Sequence, residues 1–431
     1  MKKVLIGLIF AAIFYEGANA SQKIDYDEII RRKMQKQFDD PTKLVITSDL
    51  LNNLKLEEGD YSHLTKLKIK GNIRDKQNFL SQVSILLSKA QNLEKLQIIE
   101  CKLGDFPENI RDLKKLKKLR LEHNEISVLP DFIGDLSQLE ELTIEWNKLT
   151  SVPKTIENLT KLKILDLQWN PISSLPETIG NLTQLTVLNL QGNLLKSLPE
   201  SIGNLSNLIY LDIGENMHIK TLPESMGNLK KLERLYICGN QLTTIPDFIG
   251  NLKNLRALVA WGNPITSIHE NVFNLENLEM LSLGFSRLKS ISESIGNLKN
   301  LKALYLENLE LKSLPDSVRN LKKLKRLDLS GRERRSRLTT IPDCVFDLSS
   351  LNHLYLSRNE LVSIPEKIEN LENLENLSIA NNISLKQWPK GLEKLKNLKK
   401  LWIDQQPSWT QSIENLKKIN KNLEIIAIEG R

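Results

Sequence analysis

Large apolar residues recur along the chain at a nearly fixed interval, most often of 23 residues. The pattern L-x-x-L-x-L-x-x-N-x-L begins about sixteen times between Leu64 and Leu423. Each unit has apolar residues at its first, fourth and sixth positions, as in Leu185, Leu188 and Leu190. The alternation at the end of this pattern predicts a short strand with one buried face. Repetition at a fixed period predicts that these strands stack in parallel.

The ninth position of the pattern is asparagine in ten units. A side-chain amide both donates and accepts hydrogen bonds, so it can satisfy backbone groups in the turns of neighbouring units. The strict register with the leucines therefore predicts an asparagine ladder along the stack. Its members are Asn72, Asn124, Asn147, Asn170, Asn193, Asn216, Asn240, Asn263, Asn359 and Asn382.

A second segment follows each strand, as in Leu198-Pro199-Glu200-Ser201-Ile202-Gly203-Asn204-Leu205. Eleven units have proline at this point, usually followed by an acidic residue. Proline at the first helical position loses no needed N–H, and an acid in the first turn suits the helix dipole. We therefore expect a short helical or 3-10 turn in each unit, ended by a glycine such as Gly203 in the left-handed conformation.

These motifs are the signature of the leucine-rich repeat family, and the chain resembles its 23-residue, L-P-x-x-I-G-N-L variety over residues 64–428. The resemblance implies an α/β fold, a right-handed solenoid with a concave parallel β-sheet and short helical or 3-10 turns on the convex side. Residues 1–20, MKKVLIGLIFAAIFYEGANA, have the pattern of a secretory signal peptide, and with this segment the chain looks like exported leucine-rich repeat proteins of leptospiral spirochaetes. Such proteins act as recognition surfaces, in some cases towards host molecules, but the repeat motif encodes the scaffold and not the ligand.

Residues 1–20 have two lysines, an apolar run from Val4 to Phe14 and the small-x-small sequence Ala18-Asn19-Ala20. This predicts a secretory signal peptide, because the run is shorter than the roughly 20 residues of a membrane-spanning helix. The protein is then secreted, on the outer surface or periplasmic. Residues 21–63 are predicted to form an N-terminal cap with an amphipathic helix, for which a partner-binding helix is the alternative. The last unit of the solenoid, from Leu423, is expected to cap the other end.

Composition adds few constraints: 26% of the residues are charged, 40% are hydrophobic and the net charge is +7. These values exclude a membrane bundle and a disordered chain, and the interspersed charges argue against a nucleic-acid partner. The three cysteines and five histidines lie in separate units without ligand spacing, and no nucleophile or phosphate-binding motif occurs. We therefore expect no enzyme activity, no metal and no cofactor. Cys238 is the one cysteine that we expect at an exposed, concave position.

Side chains at the third, fifth, seventh and eighth positions of each unit should point to the concave face. Four of the six tryptophans fall there, and exposed aromatics dominate binding hot spots. Tyr236, Trp261 and Phe285, from three consecutive units, are predicted to form one patch. The alternative is that the aromatics only stack with each other. The predicted ligand-binding residues of this face are Trp146, Trp169, Tyr210, Asp212, Tyr236, Trp261, Phe285 and Tyr305.

The repeat is irregular in its second half. Ser286 and Leu309 replace the ladder asparagine, which predicts a locally different packing. An insertion carries Arg332, Arg334, Arg335 and Arg337, a candidate polyanion site or a solvated loop tip. The first functional hypothesis is therefore recognition of a protein partner by the concave face. The alternatives are a glycosaminoglycan or other carbohydrate adhesin that uses the arginines, and a periplasmic structural scaffold.

Overall fold

The computed structural model describes residues 42–47, 51, 60–71, 76–331 and 338–428. The predicted signal peptide, the predicted cap helix and the Arg-rich insertion lie outside these residues, as does Asn72. Within them, 17 strands form one sheet in which every pairing is parallel and joins strands of consecutive units. This arrangement confirms the predicted solenoid with its concave parallel sheet.

Most strands have three residues, whereas those at the two ends of the sheet have five. Two further strands of two residues, β10 and β12, pair with each other in a small second sheet. The strands are β1 Lys43–Thr47, β2 Lys66–Lys70, β3 Lys95–Ile99, β4 Lys118–Arg120, β5 Glu141–Thr143, β6 Ile164–Asp166, β7 Val187–Asn189, β8 Tyr210–Asp212, β9 Arg234–Tyr236, β10 Thr244–Ile245, β11 Ala257–Val259, β12 Ser267–Ile268, β13 Met280–Ser282, β14 Ala303–Tyr305, β15 Arg326–Asp328, β16 His353–Tyr355, β17 Asn376–Ser378, β18 Lys400–Asp404 and β19 Glu424–Ile428.

The outer side is built mainly from five-residue 3-10 helices, as predicted from the proline motif. They cover Glu108–Asp112, Asp131–Asp135, Lys154–Asn158, Glu177–Asn181, Glu200–Asn204, Glu224–Asn228, Asp247–Asn251, Glu270–Asn274, Glu293–Asn297, Asp316–Asn320, Asp343–Asp347, Glu366–Asn370 and Lys390–Lys394, and a three-residue one covers Pro407–Trp409. In two of the described units an α-helix replaces this turn: α1 Lys76–Lys89 and α2 Thr410–Ile419. The buried residues of α1 recur at helical spacing, so one face of it covers the core.

The glycine of the outer turn has a different role from the one that we expected. Gly203 does not adopt the left-handed conformation. Instead, a Cβ atom on Gly203 would lie 2.4 Å from the carbonyl oxygen of Ser225 in the next unit. A Cβ atom on Gly180 would lie at the same distance from the carbonyl oxygen of Ser201. The glycine is therefore required because successive outer turns approach each other closely. Phe273 and Phe346 occupy this place in two later units, and both are buried.

The core lies between the sheet and the outer turns and consists of the repeated leucines and isoleucines, most of them completely buried. The asparagine ladder is confirmed beside it. The Asn193 amide donates to the carbonyl oxygens of Leu167 at 3.1 Å and Leu190 at 2.9 Å, and its Oδ1 accepts from the Ile172 N–H at 3.2 Å. Each ladder side chain from Asn124 to Asn382 thus hydrogen-bonds to its own unit and to the preceding one.

Replacement of Asn193 by alanine leaves the buried N–H of Ile172 without its acceptor. It also removes one of the two side-chain amides that donate to each of the carbonyl oxygens of Leu167 and Leu190. We expect Asn193→Ala to lower the free energy of unfolding by about 2–3 kcal/mol. Hydrogen exchange should show the loss of protection in its own and the adjacent units, because a solenoid is coupled mainly to its nearest neighbours. Asn204→Ala is the control, because Asn204 is exposed. Equal effects of the two changes would contradict the role of the ladder.

Candidate binding face

Because neighbouring strands pair in register, side chains from equal positions of successive units form rows across the concave face. The row of fifth positions, for example, runs from Asp166 through Asn189 and Asp212 to Tyr236. The row of eighth positions follows the ends of the strands. The face is thus a grid of side chains held by backbone pairing, and its chemistry is set by four positions of each unit.

Three eighth-position rings form a stacked column, which we call the aromatic column: His123, Trp146 and Trp169. The ring centroids of His123 and Trp146 are 5.4 Å apart and those of Trp146 and Trp169 are 4.9 Å apart, with nearly parallel planes. Gly192 closes the column, since a Cβ atom there would lie 2.5 Å from the Trp169 ring. The faces of the two indoles are therefore occupied, and Trp146 presents mainly its edges to solvent.

A shallow groove lies beside the column. His123, Trp146 and Asn147 line it together with two pairs of charged residues, and its volume is about 430 Å³. The charged residues are Glu100, Lys102, Glu125 and Lys148. Because its lining combines aromatic rings with charged and amide groups, it can hold a ligand group that carries both hydrogen-bonding atoms and an apolar surface.

The eighth position repeatedly has a left-handed backbone. The φ angle is 54° at both Trp146 and Trp169 and 56° at Phe285, and it is 67° at Gly192 and 60° at Gly239. Glycine adopts this conformation freely, whereas a bulky residue there is strained. The glycines at this position in other units were the sequence signal for this feature. The aromatic residues are therefore held in place at a cost in backbone energy.

The other predicted aromatics of the face form two pairs. The rings of Tyr210 and Tyr236 are 5.3 Å apart in a tilted arrangement, and those of Trp261 and Phe285 are 6.5 Å apart, edge to face. Phe285 is 46% exposed. Tyr305 is half-buried on β14, directly beside Ser282 of β13. The predicted residues thus lie on one face, with the tyrosine pair two units from Phe285.

Two carboxyl groups of the fifth row lie close to other side chains of the grid: Asp166 is half-buried and Asp212 is buried. Asp166 accepts hydrogen bonds from the Gln168 N–H and from the Asn189 amide, both at 3.2 Å. Burial, and next the Glu145 carboxylate, raise the pKa of Asp166 to about 7. Asp212 accepts from the Gly214 N–H at 2.9 Å and from the Tyr210 hydroxyl at 3.1 Å, and burial raises its pKa to about 6. Asp212 therefore orients Tyr210 and does not itself reach the surface.

Cys238 is not exposed, contrary to our expectation. It is buried beneath Gly214, whose Cβ atom would lie 2.7 Å from the sulfur, and burial raises the pKa of its thiol. The two units in which another residue replaces the ladder asparagine lack the hydrogen bonds of the ladder. The hydroxyl of Ser286 is buried without a hydrogen bond in the described structure, and Leu309 is buried. The pattern of strand positions could not predict the burial of Cys238, because that burial depends on Gly214 of the preceding unit. Gly214 has no side chain, and the sulfur of Cys238 fills the space beside it.

The charges of the concave face are divided into zones along the solenoid. The third, fifth, seventh and eighth positions of β1–β4 have seven Lys or Arg residues and two carboxylates among the described residues; we call this the basic zone. The same positions of β5–β8 have five carboxylates and no Lys or Arg, the acidic zone. Those of β9, β11, β13 and β14 are mostly apolar or aromatic and form the central zone. Sequence reasoning missed the basic zone, although its lysines recur at the repeat interval.

Arg332, Arg334, Arg335 and Arg337 lie outside the described residues. In the part of the chain that is described, no group of three His, Cys, Asp or Glu side chains is placed to hold a metal ion. No helix there is both long and apolar enough to traverse a bilayer.

A regular array of strand, asparagine ladder and outer 3-10 turn defines the class of leucine-rich repeat proteins. The family described as leucine-rich repeat region matches residues 172–294 and 286–428, and a related leucine rich repeat family matches residues 137–195. No curated protein matches the chain significantly. The chain belongs to the leucine-rich repeat family.

Similar solved structures come from bacteria and plants. A leucine-rich repeat protein of Leptospira interrogans is 31% identical with a TM-score of 0.68, over 83% of this chain and 100% of that one. A Listeria monocytogenes internalin is 25% identical with a TM-score of 0.64, over 76% and 92% of the two chains. A plant peptide hormone receptor, solved with RGF2, is 26% identical with a TM-score of 0.63, over 90% and 65%. Proteins of this fold are typically non-catalytic recognition modules.

The strain at the eighth position can be measured at Trp146. Both Trp146→Ala and Trp146→Gly remove the stacking with His123 and Trp169, but only alanine retains a Cβ atom in the left-handed conformation. We expect the glycine variant to be more stable than the alanine variant by about 1 kcal/mol. Urea unfolding of both variants provides the measurement. A more stable alanine variant would show that the backbone there is not strained.

The raised pKa of Asp166 makes stability depend on pH. Between the ordinary pKa of 3.8 and about 7, the folded protein binds this proton more tightly than the unfolded chain does. The free energy of unfolding should therefore fall as pH rises through this window, by at most about 1.4 kcal/mol per pH unit for this group. Asp166→Asn should remove that slope between pH 6 and 7, where Asp212 contributes less. Unchanged slopes in paired denaturation curves would contradict the assignment.

Proposed function

We propose that this chain is an exported, non-catalytic recognition protein that binds a protein partner, such as a host or surface protein, with the central zone of its concave face. The aromatic residues of this zone, Trp261 and Phe285 above all, are the anchors in this proposal, and Tyr236 and Tyr305 flank them. Residues 1–20, with the pattern of a signal peptide, support export.

The observation that carries the proposal is Phe285. Its ring is 46% exposed, and its backbone has a φ of 56°, where glycine costs least. An aromatic residue that is neither well buried nor in a relaxed conformation gains little from folding. Other units, such as that of Trp146, have the same backbone conformation, so the feature that favours binding at Phe285 is an exposed ring that meets Trp261 only edge to face. A partner that covers this ring would recover its hydrophobic energy.

The surroundings of Phe285 also suit a protein interface. Ala257, Val259 and Ser282 are buried in the floor of the central zone, and half-buried Met280 lies beside them. Arg234 and Glu307 are the charged residues at its four concave positions. Interfaces with proteins typically have such an aromatic and apolar centre with charges at the rim. The stacking alternative applies better to the aromatic column, where the indole faces cover each other.

A protein of similar fold supports the proposal that the partner is a protein or peptide. The plant receptor of similar fold was solved in complex with RGF2. Binding of a partner by the concave sheet of this chain is part of our proposal, and it requires no catalytic group.

The test begins with identification of a partner by a photo-activatable residue in place of Met280, followed by titration of the purified partner. We expect Phe285→Gly to weaken its binding by about 30-fold, equivalent to about 2 kcal/mol, as for other aromatic anchors. The same change should leave the unfolding midpoint unchanged or raise it, because glycine suits the backbone conformation.

Trp402→Ala is the matched control, since Trp402 is a half-buried concave tryptophan on β18, outside the central zone. It should leave the affinity unchanged. A stable Phe285→Gly protein with full affinity would refute the proposed anchor, as would an equal loss in the Trp402 variant. Destabilisation by Phe285→Gly with intact binding would support stacking as the role of the ring.

A further inference from the structure

The basic zone contains a row of like charges that the fold itself does not need. Lys43, Lys66, Lys95 and Lys118 occupy paired positions on four adjacent strands, β1 to β4. Adjacent strands are ~4.8 Å apart, so the row extends over about 14 Å. Like charges directly opposite each other on neighbouring strands destabilise a sheet. Glu141 ends the row on β5, paired with Lys118.

The neighbouring rows extend this positive surface. Lys68 is half-buried beside the row, and Arg120 lies two strands away at the same position. Glu141 is already occupied, since it binds Lys118 at 2.5 Å and Arg120 at 2.6 Å. Lys68 and Lys95 make no ion pair of this kind within the described part of the chain. Burial, and then Lys70 for Lys68 and Arg120 for Lys95, lower the pKa of these two amines.

We propose that the basic zone binds a sulfated polysaccharide, with Lys68 and Lys95 at the centre of the site. Bound sulfate groups would bring negative charge close to Lys68 and Lys95 and reduce the repulsion between these amines and their cationic neighbours. This site is separate from the central zone and goes beyond recognition of a protein partner.

Three features favour this ligand over other polyanions. The cations left to contact a ligand are lysines, which are compact point charges suited to sulfate oxygens, whereas Arg120, the fork that suits carboxylates, is bound to Glu141. Third and fifth positions of the zone have no aromatic anchor of the kind that peptide interfaces use. Nucleic-acid bases need open ring faces for stacking, and those of Trp146 and Trp169 are covered.

The acidic zone limits where such a ligand can lie. Glu141 is bound to Lys118 and Arg120, and burial raises the pKa of Asp166 and Asp212. The repulsion of a polyanion that crosses towards the central zone thus comes mainly from Glu145 and Glu215. The polysaccharide should therefore lie across β1–β4. This confinement distinguishes the site from the predicted one at Arg332, which follows β15 in the chain.

The test uses heparin as the probe and the double variant Lys68→Gln/Lys95→Gln. We expect a loss of affinity of about tenfold at low ionic strength, and a salt dependence lower by about two counterions. The control is Lys196→Gln/Lys220→Gln, which removes the same charge from two exposed lysines outside the strands and should retain the affinity. The unfolding midpoint of the first variant should be unchanged or higher, because repulsion is relieved.

Three further arms identify the ligand class: desulfated heparin, polyglutamate and a single-stranded oligonucleotide should all bind at least about tenfold more weakly than heparin. Equal binding of any of these to the same lysines would overturn the assignment to sulfate groups. Undiminished heparin binding by the Lys68/Lys95 variant, or an equal loss in the control, would overturn the site. Phe285→Gly should not change heparin binding, so this proposal and the proposed function fail separately.

Discussion

The architecture depends on the hydrogen bonding of each unit to the unit before it. Strand pairing joins the backbones on the concave side, and the amide of a ladder residue such as Asn193 joins the turns beside them. Both interactions require every unit to keep the same register. Leucines at fixed positions then meet in a continuous core, and the concave side chains meet in rows. The rows are therefore a consequence of backbone pairing, and single substitutions can alter them without a change of fold.

This register explains why the face concentrates both strain and like charge. A turn conformation required at the eighth position is imposed on whatever residue stands there, so Trp146 and Phe285 have the left-handed backbone that suits Gly192. In the same way, lysines that recur at the repeat interval are placed opposite each other on adjacent strands. Neither arrangement adds to the stability of the scaffold. The proposed binding roles rest on features that the repeat tolerates at an energetic cost.

Most of the fold could be predicted from the sequence, because the spacing of Leu185, Leu188 and Leu190 directly encodes a buried strand face. Less of the binding face could be predicted from the sequence. Rows could be anticipated from equal positions, but the stacking of His123 on Trp146 depends on the turn conformation and not on strand alternation. The predicted role of Gly203 was wrong, because it was derived from the motif of a single unit. The glycine is needed for a close contact with Ser225, which belongs to the next unit. The burial of Cys238 was not predicted either, because it also depends on a contact between two units, with Gly214.

The contact at Gly203 also has a mechanical consequence. Hydrogen bonds fix the distance between strands on the inner side, whereas glycine lets the outer turns approach until backbone touches side chain. The ratio of the two spacings sets the radius of the solenoid. Phe273, a buried residue at this place in the turn before β13, requires more room on the outside and acts as a wedge. Phe346 occupies the same place in a later unit, so we expect the arc to be tighter at these two turns than at the glycine turns. The first of them lies beside Phe285, where the aromatic side chains of the central zone would converge on a narrow or strongly convex object.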